Sequence, residues 1–397
     1  MALNLVVDRV VRGKIYPSLA KFQAEPFTKA WREFGNHWPN TIPLRLQEYC
    51  EGHGIAINIF DWHQPWPRDI YYPIALSWFD FSLNYLDLVP PQVCDAVKHS
   101  KLRLLFYYHE GDNPVRIQQR LDHCVQALNW PKDCYVFVSS NSAADALDRC
   151  VSFQDSELWY WHRNQYCTPV EIHHRPRSRN FTVLNRLHKW WRAAAMADLQ
   201  QHGILDQSYW SYCEPKTDHD SIDDCAIELD AVPNLRSLVD KFLQGAPYFA
   251  DSLSQDQRND HHLVVEHYYH DAYCNIVMET MFDWDQSGGV LLSEKTFKPI
   301  KHGQMFFIAG GAGSLEVLRS LGYRTFDSVL DTSYDTETNN TRRWIKLREA
   351  IVAASQQDMH SLYIRARSDI EHNQKLFVSS KHKSVSTLLE KLHVKSC

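Results

Sequence analysis

An acidic and a basic side chain stand together ahead of a turn of small residues in the second half of the chain. Glu294 and Lys295 begin an expected helix, and an apolar strand over 305–309 then leads into the small residues Gly310 and Gly311. A helix N-terminus beside a lysine can bind phosphate, and glycine lets a ligand approach the backbone. The pattern indicates a site for a nucleotide-linked substrate.

Side chains that can move a proton follow an apolar run in the first half. Residues 102–108 lead directly into His109, Glu110 and Asp112. A carboxylate on a loop beside a histidine can act as a general base that takes a proton from a substrate hydroxyl group. We expect Glu110 to be this base. Equally, the segment can be a turn that caps a helix beginning near Pro114.

A second pair of this kind is Asp61 and His63, in the segment DWHQPWP that follows another apolar run. The tryptophans of this segment can stack against a sugar face or a base. The alternative, which we favour, is a rigid loop of proline and aromatic residues. Asp61 therefore remains a second candidate for the catalytic carboxylate.

Short apolar runs alternate with polar or helical stretches, as a parallel sheet requires. The expected strands are 55–60, 102–108, 135–139, 181–184, 263–268, 275–278 and 305–309, and helices are expected over 142–150, from 192 to about 203, and from 341 to about 375. The sequence thus predicts an α/β fold with two Rossmann-like halves. In such sheets ligands bind beyond the carboxyl ends of the strands.

The segment that contains Ser293, Glu294 and Lys295 resembles GT-B glycosyltransferases of the fucosyltransferase-like kind and related phage and bacterial proteins. These proteins carry a threonine, glutamate and lysine before a helix, then a strand that ends in a glycine-rich turn. Here Ser293 replaces the threonine and keeps the hydroxyl, and Leu291 stands where a tyrosine is common. The resemblance covers roughly residues 180–380.

A second match to this family is a short strand followed by Asn185, Arg186 and, further on, Arg192. The resemblance implies that Arg186 and Lys295 face the donor diphosphate, where a guanidinium and an ammonium can offset the charge on the leaving group. It also implies a donor contact for Glu279. For each of these residues alone, a surface or capping role is the ordinary alternative.

The resemblance implies a GT-B architecture, with two Rossmann-like domains facing a cleft. We expect an acceptor-side domain over residues 1–172, a nucleotide-sugar-binding domain over 173–360, and a helical segment over 361–397 that packs back on the first domain. The expected activity is the transfer of a sugar, with inversion, from a UDP- or GDP-linked donor to a hydroxyl acceptor. A phage-type enzyme that glycosylates a hydroxymethylated base in DNA and a non-catalytic sugar- or nucleotide-binding module are the alternatives.

The charge composition of the chain helps to decide whether the acceptor is DNA. The net charge of -6 weighs against a general nucleic-acid binder. A basic and aromatic strip over residues 160–192, which includes HHRPRSR and KWWR, can nevertheless hold a DNA backbone. We favour the other interpretation, in which this strip is a solvated connection between domains whose Trp190 and Trp191 pack into the second domain. The expected acceptor is either a glycan or lipid-linked sugar, or modified DNA.

No metal, further cofactor or membrane anchor is expected. The ten cysteines are scattered without a C-x-x-C pair, which is typical of reduced thiols. His267 and His270 would point to opposite faces of a strand, an unfavourable start for a zinc site. No apolar run approaches the roughly 20 residues of a membrane span, so we expect a cytoplasmic protein.

Overall fold

The computed structural model describes most of this chain, and its residues divide into two compact units. The first unit comprises Met1–Asp155 and Lys381–Cys397, and the second comprises Ser156–Ser380. The boundary predicted from the sequence lay at 172/173. The described residues are 3–7, 10–11, 14–15, 37–39, 57–61, 65–76, 86, 89, 91–108, 111–154, 156–157, 171–172, 175–213, 221–250, 264–379 and 381–394.

The first unit is built on a mainly parallel sheet. The strands of this sheet that the structure describes are β1 (Leu3–Val7), β4 (His37–Pro39), β5 (Ile57–Asp61), β6 (Ile70–Leu76), β7 (Arg103–Tyr108), β8 (Tyr135–Ser139) and β9 (Cys150–Ser152). Strands β2 (Val10–Val11) and β3 (Lys14–Ile15) form a separate antiparallel pair. The described helices of this unit are α1 (Pro91–Lys98), α2 (Pro114–Ala127) and, from the end of the chain, α12 (Lys381–Val394).

Strand order in this sheet is β5-β1-β6-β7-β8-β9, with β4 antiparallel to β6 and the other pairs parallel. Every residue of β8 is buried, which is what a strand covered on both faces requires. The described end of helix α12 lies against β9, where Lys391 Nζ contacts Asp145 Oδ2 at 2.6 Å. The C-terminal helix is therefore part of the first unit.

The second unit contains a smaller, wholly parallel sheet. Its described strands are β10 (Arg179–Leu184), β11 (Ser208–Ser211), β12 (Ala272–Met278) and β13 (Met305–Ala309). Its described helices are α3 (Trp190–Gln201), α4 (Leu235–Gln244), α5 (Glu266–His270), α6 (Trp284–Ser287), α7 (Glu294–Lys301), α8 (Ser314–Ser320), α9 (Asn340–Ser355), α10 (Met359–Arg365) and α11 (Arg367–Ser379).

The order of these strands is β11-β10-β12-β13, so the chain steps outward from β10 to β11 and then returns to the other side of β10. The chain places β11 on one side of β10 and β12 on the other, and the carboxyl ends of β10 and β12 therefore flank a topological switch point. In open parallel sheets this is where ligands bind. Each unit is thus Rossmann-like, and the predicted α/β fold class is confirmed.

Most expected strands are present, but the strand expected over 263–268 is wrong. Residues Glu266–His270 form helix α5, and β12 starts two residues later at Ala272. The Tyr268 carbonyl in this helix accepts a hydrogen bond from Thr182 Oγ1 at 2.7 Å, which fixes the turn against β10. Local β-forming composition is overridden here by tertiary contacts.

Two expected helices also differ from the structure. The segment 142–150 is a 3-10 turn over Ser142–Ala146 followed by β9, because the Asp145 carboxylate binds the backbone and hydroxyl of Ser152. The long helix expected from 341 to about 375 is three helices, α9 to α11. Among the described helices, none has the length and apolar run that a membrane span needs.

A histidine whose ring makes no hydrogen bond to the described residues lies inside the second unit. His302 follows α7 and is 2% exposed, and neither ring nitrogen has a hydrogen-bond partner within the described part of the chain. Its ring lies 5.0 Å from that of Tyr269 and 5.6 Å from that of His270. Burial, together with nearby Lys301, His270 and Lys298, lowers the pKa of His302 from 6.5 to about 3.

This shift predicts that stability falls with decreasing pH. The unfolded chain binds the His302 proton below pH 6.5, whereas the folded chain does so only near pH 3, so the free energy of unfolding decreases through that window. The His302→Phe variant should lack this contribution, which reaches about 1.4 kcal/mol per pH unit. Urea denaturation between about pH 4 and about pH 7 measures the difference; parallel pH profiles for the two proteins would contradict the assignment.

Candidate functional site

A buried amide with no hydrogen bond lies at the switch point of the second sheet. Asn185 directly follows β10 and is 3% exposed, yet neither Oδ1 nor Nδ2 has a partner among the residues that the structure describes. Its backbone N–H group does make a hydrogen bond, which it donates to the Ser211 carbonyl at 3.0 Å. Buried side-chain polar groups nearly always have a partner, so this amide is available to a ligand or water.

Two lysines converge on Thr280, the second residue after β12. Lys189 Nζ donates to the Thr280 carbonyl at 2.8 Å, and Lys295 Nζ donates to the Thr280 hydroxyl at 3.1 Å. The same ammonium group contacts Ser293 Oγ at 3.2 Å and Glu294 Oε1 at 3.2 Å. The side chain of Lys295 is still 30% exposed, so this charge remains accessible to solvent.

Arg192, expected to bind the donor, joins the loops that follow the two strands. Its guanidinium is buried and donates to the carbonyls of Leu187, Met278 and Glu279, the last at 2.7 Å. Burial lowers the pKa of Arg192 to about 10, partly offset by Glu279, and the nearby positive charge of Arg186 lowers it further. Arg186 itself is half-buried and lies on the loop between Asn185 and Lys189.

Glu279, also expected at the donor site, is fully buried and connects β12 to α7. Its Oε1 accepts from the Ser293 backbone N–H at 3.0 Å and from the Thr296 hydroxyl at 2.5 Å, and its Oε2 accepts from the Thr280 N–H at 3.0 Å. Arg192 lies close enough to interact with its charge. The carboxylate therefore fixes where α7 begins.

Ser293 and Glu294 complete the start of that helix. Ser293 is the N-cap, and its Oγ accepts from the Lys295 backbone N–H. Burial alone would raise the pKa of Glu294, but Lys295 and Lys298 outweigh it and hold the pKa at about 2. Lys189 and Lys295 bond to Thr280, Arg192 bonds to the carbonyl before it, and Arg186 lies close enough to Arg192 to affect its pKa. These four basic groups face the two carboxylates of Glu279 and Glu294, so the local charge is positive.

The glycines at the end of β13 accommodate neighbouring protein groups. A Cβ on Gly310 would lie 2.8 Å from Ser314 Oγ, and a Cβ on Gly311 would lie 3.2 Å from the Gly289 carbonyl. The Gly310 carbonyl accepts from the buried Arg343 guanidinium at 3.1 Å. Their lack of a side chain is therefore explained by close packing within the unit.

The helix that follows this turn already holds an anion from the chain itself. Asp335 accepts from the backbone N–H groups of Leu315 at 2.9 Å and Glu316 at 3.2 Å, at the start of α8. The first turn of α7 is likewise bonded to Ser293. Positive charge at the candidate site thus comes from side chains rather than from these two helix ends.

The expected catalytic residues belong to the first unit. Asp112 follows β7, and its carboxylate accepts a hydrogen bond from the Tyr108 hydroxyl. Asn113 caps α2 through its side chain, as the capping interpretation predicts. Asp61 is the last residue of β5, at the same carboxyl edge of the parallel sheet. His109 and Glu110 lie outside the described residues, as does His63.

The described part of the basic strip makes internal contacts. Arg175 pairs with Asp271 at 2.7 Å, and the Arg177 guanidinium lies 4.1 Å from the ring centre of Tyr363 and donates to the Ala272 carbonyl. Trp191 stacks on Phe282 with ring centres 4.7 Å apart. These side chains hold the second unit together, which agrees with a packing role for this part of the strip.

Two residues of the site were not among the sequence candidates. In the sequence, Lys189 belongs to the basic strip, and Thr280 stands beside Glu279 without a motif of its own. Both follow strands that were correctly expected, which was the available signal. Among the described residues, no group of three or more His, Cys, Asp or Glu side chains is placed to hold a metal ion, and the described cysteines are free thiols.

No protein-family description matches the sequence, and no curated protein is significantly similar to it. One similar solved structure is that of the DNA-modifying enzyme β-glucosyltransferase, determined in the presence and absence of the substrate uridine diphosphoglucose. It shares 10% identity, covers 97% of this chain and 100% of its own, and has a TM-score of 0.30. A likeness at this level does not establish a common function.

The contacts of Glu279 predict a large loss of stability on its substitution. In Glu279→Gln the amide nitrogen replaces one acceptor, and Arg192 loses a neighbouring negative charge, so the free energy of unfolding should fall by about 3 kcal/mol. Glu349→Gln, on the exposed face of α9, should change it by less than about 0.5 kcal/mol. Urea denaturation of both variants tests this; equal effects would show that the Glu279 contacts are not important for stability.

Proposed function

We propose that this chain is a glycosyltransferase that moves a sugar from a nucleotide-sugar donor to a hydroxyl acceptor, with inversion, in a GT-B arrangement. The observation that carries the proposal is the unpartnered amide of Asn185, buried at the switch point beside a cluster of basic side chains. A diphosphate offers oxygens to the amide nitrogen and negative charge to the basic groups. These are the charge-assisted contacts through which proteins commonly bind phosphate groups.

In this mechanism the basic side chains stabilise the leaving group. As the bond between the anomeric carbon and the diphosphate oxygen breaks, the electron pair stays on that oxygen and the nucleotide diphosphate gains negative charge. The accessible ammonium of Lys295 and the guanidinium of Arg186 can offset this charge. Lys189 adds to the same positive electrostatic potential, while Arg192 and Glu279 hold the loops that follow β10 and β12 in position. These groups supply the stabilisation that a metal ion gives elsewhere, so we propose no obligatory cation.

The acceptor is activated by a carboxylate. We propose that Glu110 takes the proton from the acceptor hydroxyl while its oxygen bonds to the anomeric carbon, with Asp112 and Asp61 as the other candidates. The internal contacts of Arg175, Arg177 and Arg192 leave fewer basic groups for a DNA backbone, so a glycan is the favoured acceptor. The nucleotide of the donor is UDP or GDP.

Donor binding can be tested with paired substitutions at the candidate site. Because the Asn185 amide has no protein partner, Asn185→Leu should preserve the melting temperature of the free protein. It should weaken nucleotide diphosphate binding at least tenfold, as should Lys295→Met, whereas Lys241→Met on α4 should have no effect. Calorimetry with UDP, GDP and their sugars gives the dissociation constants. If none of them binds the wild-type protein, the proposed function is wrong.

Turnover tests the catalytic base and separates an enzyme from a binding module. Glu110→Gln should lower kcat by about a hundredfold or more without changing donor affinity, because only proton transfer is lost. Asp112→Asn and Asp61→Asn are compared in the same assay of nucleotide diphosphate release. Loss of activity in Asp61→Asn alone would identify a different base. Donor binding without any release, with or without acceptors, would identify a binding module instead.

A further inference from the structure

A polar cavity lies in the second unit beside the loops of the candidate site. Its volume is about 370 Å³, at the small end of the range for ligand pockets. Its walls come from α6, from the start of α9 and from the segment before α4, and they include Trp284, Thr338, Asn339, Thr341 and Glu228. None of these residues belongs to the proposed diphosphate-binding group.

The lining excludes an anionic ligand and disfavours a wholly apolar one. None of the described residues that line the cavity is a lysine or arginine, and one of them, Glu228, is acidic. Hydroxyl and amide groups provide most of the wall, and burying them against an apolar ligand would leave them without hydrogen bonds. Because the one carboxylate, that of Glu228, is exposed and gives a cation little attraction, the expected occupant is neutral and rich in hydrogen-bonding groups.

The individual groups suit a ring that carries several hydroxyls. The Trp284 indole offers a flat apolar surface, and aromatic rings of this kind combine an apolar face with a polar edge. Thr338 offers an exposed hydroxyl, and Glu228 offers an exposed carboxyl group. The Oδ1 of Asn339 already accepts from the Arg342 backbone N–H at 2.9 Å, so its amide contributes a donor. The lining thus offers both donors and acceptors beside an aromatic side chain.

Arg343 connects this cavity to the turn at the end of β13. Its guanidinium donates to the Gly310 carbonyl at 3.1 Å and to Asn340 Oδ1 at 2.8 Å, and Asn340 lines the cavity. The same Oδ1 accepts from the Trp284 backbone N–H at 3.1 Å. The cavity walls are therefore fixed to the loops that follow β12 and β13 by buried and partly buried hydrogen bonds.

We propose that this cavity binds a neutral ring bearing several hydroxyl groups, either a pyranose or the ribose of a nucleoside. The preference for such a ring follows from the lining alone. The assignment of the ring to one part of a nucleotide sugar rests on the proposed function. A phosphate-free sugar or nucleoside should therefore bind here even when the diphosphate-binding group is altered.

Saturation-transfer NMR with phosphate-free probes tests the proposal. The probes are methyl glycosides of glucose, galactose, mannose and fucose, together with uridine and guanosine, each at millimolar concentration. At least one probe should receive saturation at its ring protons. Thr338→Val and Glu228→Gln should each weaken its binding about five- to tenfold, because the first removes a hydroxyl and the second replaces an acceptor oxygen with an amide that donates. Binding of glycosides alone would identify a pyranose, and binding of nucleosides alone would identify the ribose.

Matched substitutions outside the cavity serve as controls. Thr336→Val and Glu349→Gln make the same chemical changes at exposed positions that do not line it, and both should leave probe binding unchanged. If no probe binds, or if the cavity variants bind as well as the wild type, the proposal is wrong. If only the cavity proposal is wrong, UDP or GDP will still bind and Asn185→Leu will still weaken that binding. If the proposed function is wrong, UDP and GDP will not bind in this way.

Discussion

The arrangement of the second unit depends on one buried carboxylate. Glu279 sits at the end of the central strand β12 and accepts hydrogen bonds from Ser293 and Thr296 at the start of α7. A buried carboxylate is tolerated only when its oxygens are bonded and its charge is balanced, and Arg192 supplies that balance. Since Arg192 also binds carbonyls of both loops, the position of Lys295 beside Thr280 follows from this pair.

This internal bonding determines how the site can attract an anion. Helix N-termini near strand ends are common phosphate sites, but the first turn of α8 is bonded to Asp335 and that of α7 to Ser293. What remains is charge on flexible side chains and one rigid amide. Lysine and arginine side chains can follow a ligand whose charge changes during reaction, whereas a helix end is fixed. The site is therefore suited to attracting an anion and adapting to it.

The sequence predicted the features that depend on local pattern. Apolar runs identified β7, β8 and β13, and Ser293 before Glu294 identified the start of α7. Features that depend on distant contacts were missed. The run at 263–268 has strand-forming residues but forms α5, because Thr182 binds its carbonyl from another strand. Similarly, the glycines before α8 indicated an open turn, and only the fold brings Asp335 onto it.

The significance of Asn185 comes from its position as well as from its missing hydrogen bonds. His302 is also buried without a partner in the described part of the chain, yet it lies between aromatic rings, where burial keeps the imidazole neutral. An amide does not titrate, so a change of protonation state cannot reduce the free-energy cost of burying it without a hydrogen-bond partner. This cost is about 1–3 kcal/mol for each unsatisfied polar group. At the switch point, beside Arg186 and Lys189, a bound ligand can compensate for that cost. The buried amide without a hydrogen-bond partner and the basic side chains beside it are thus most simply explained together, as parts of one binding site.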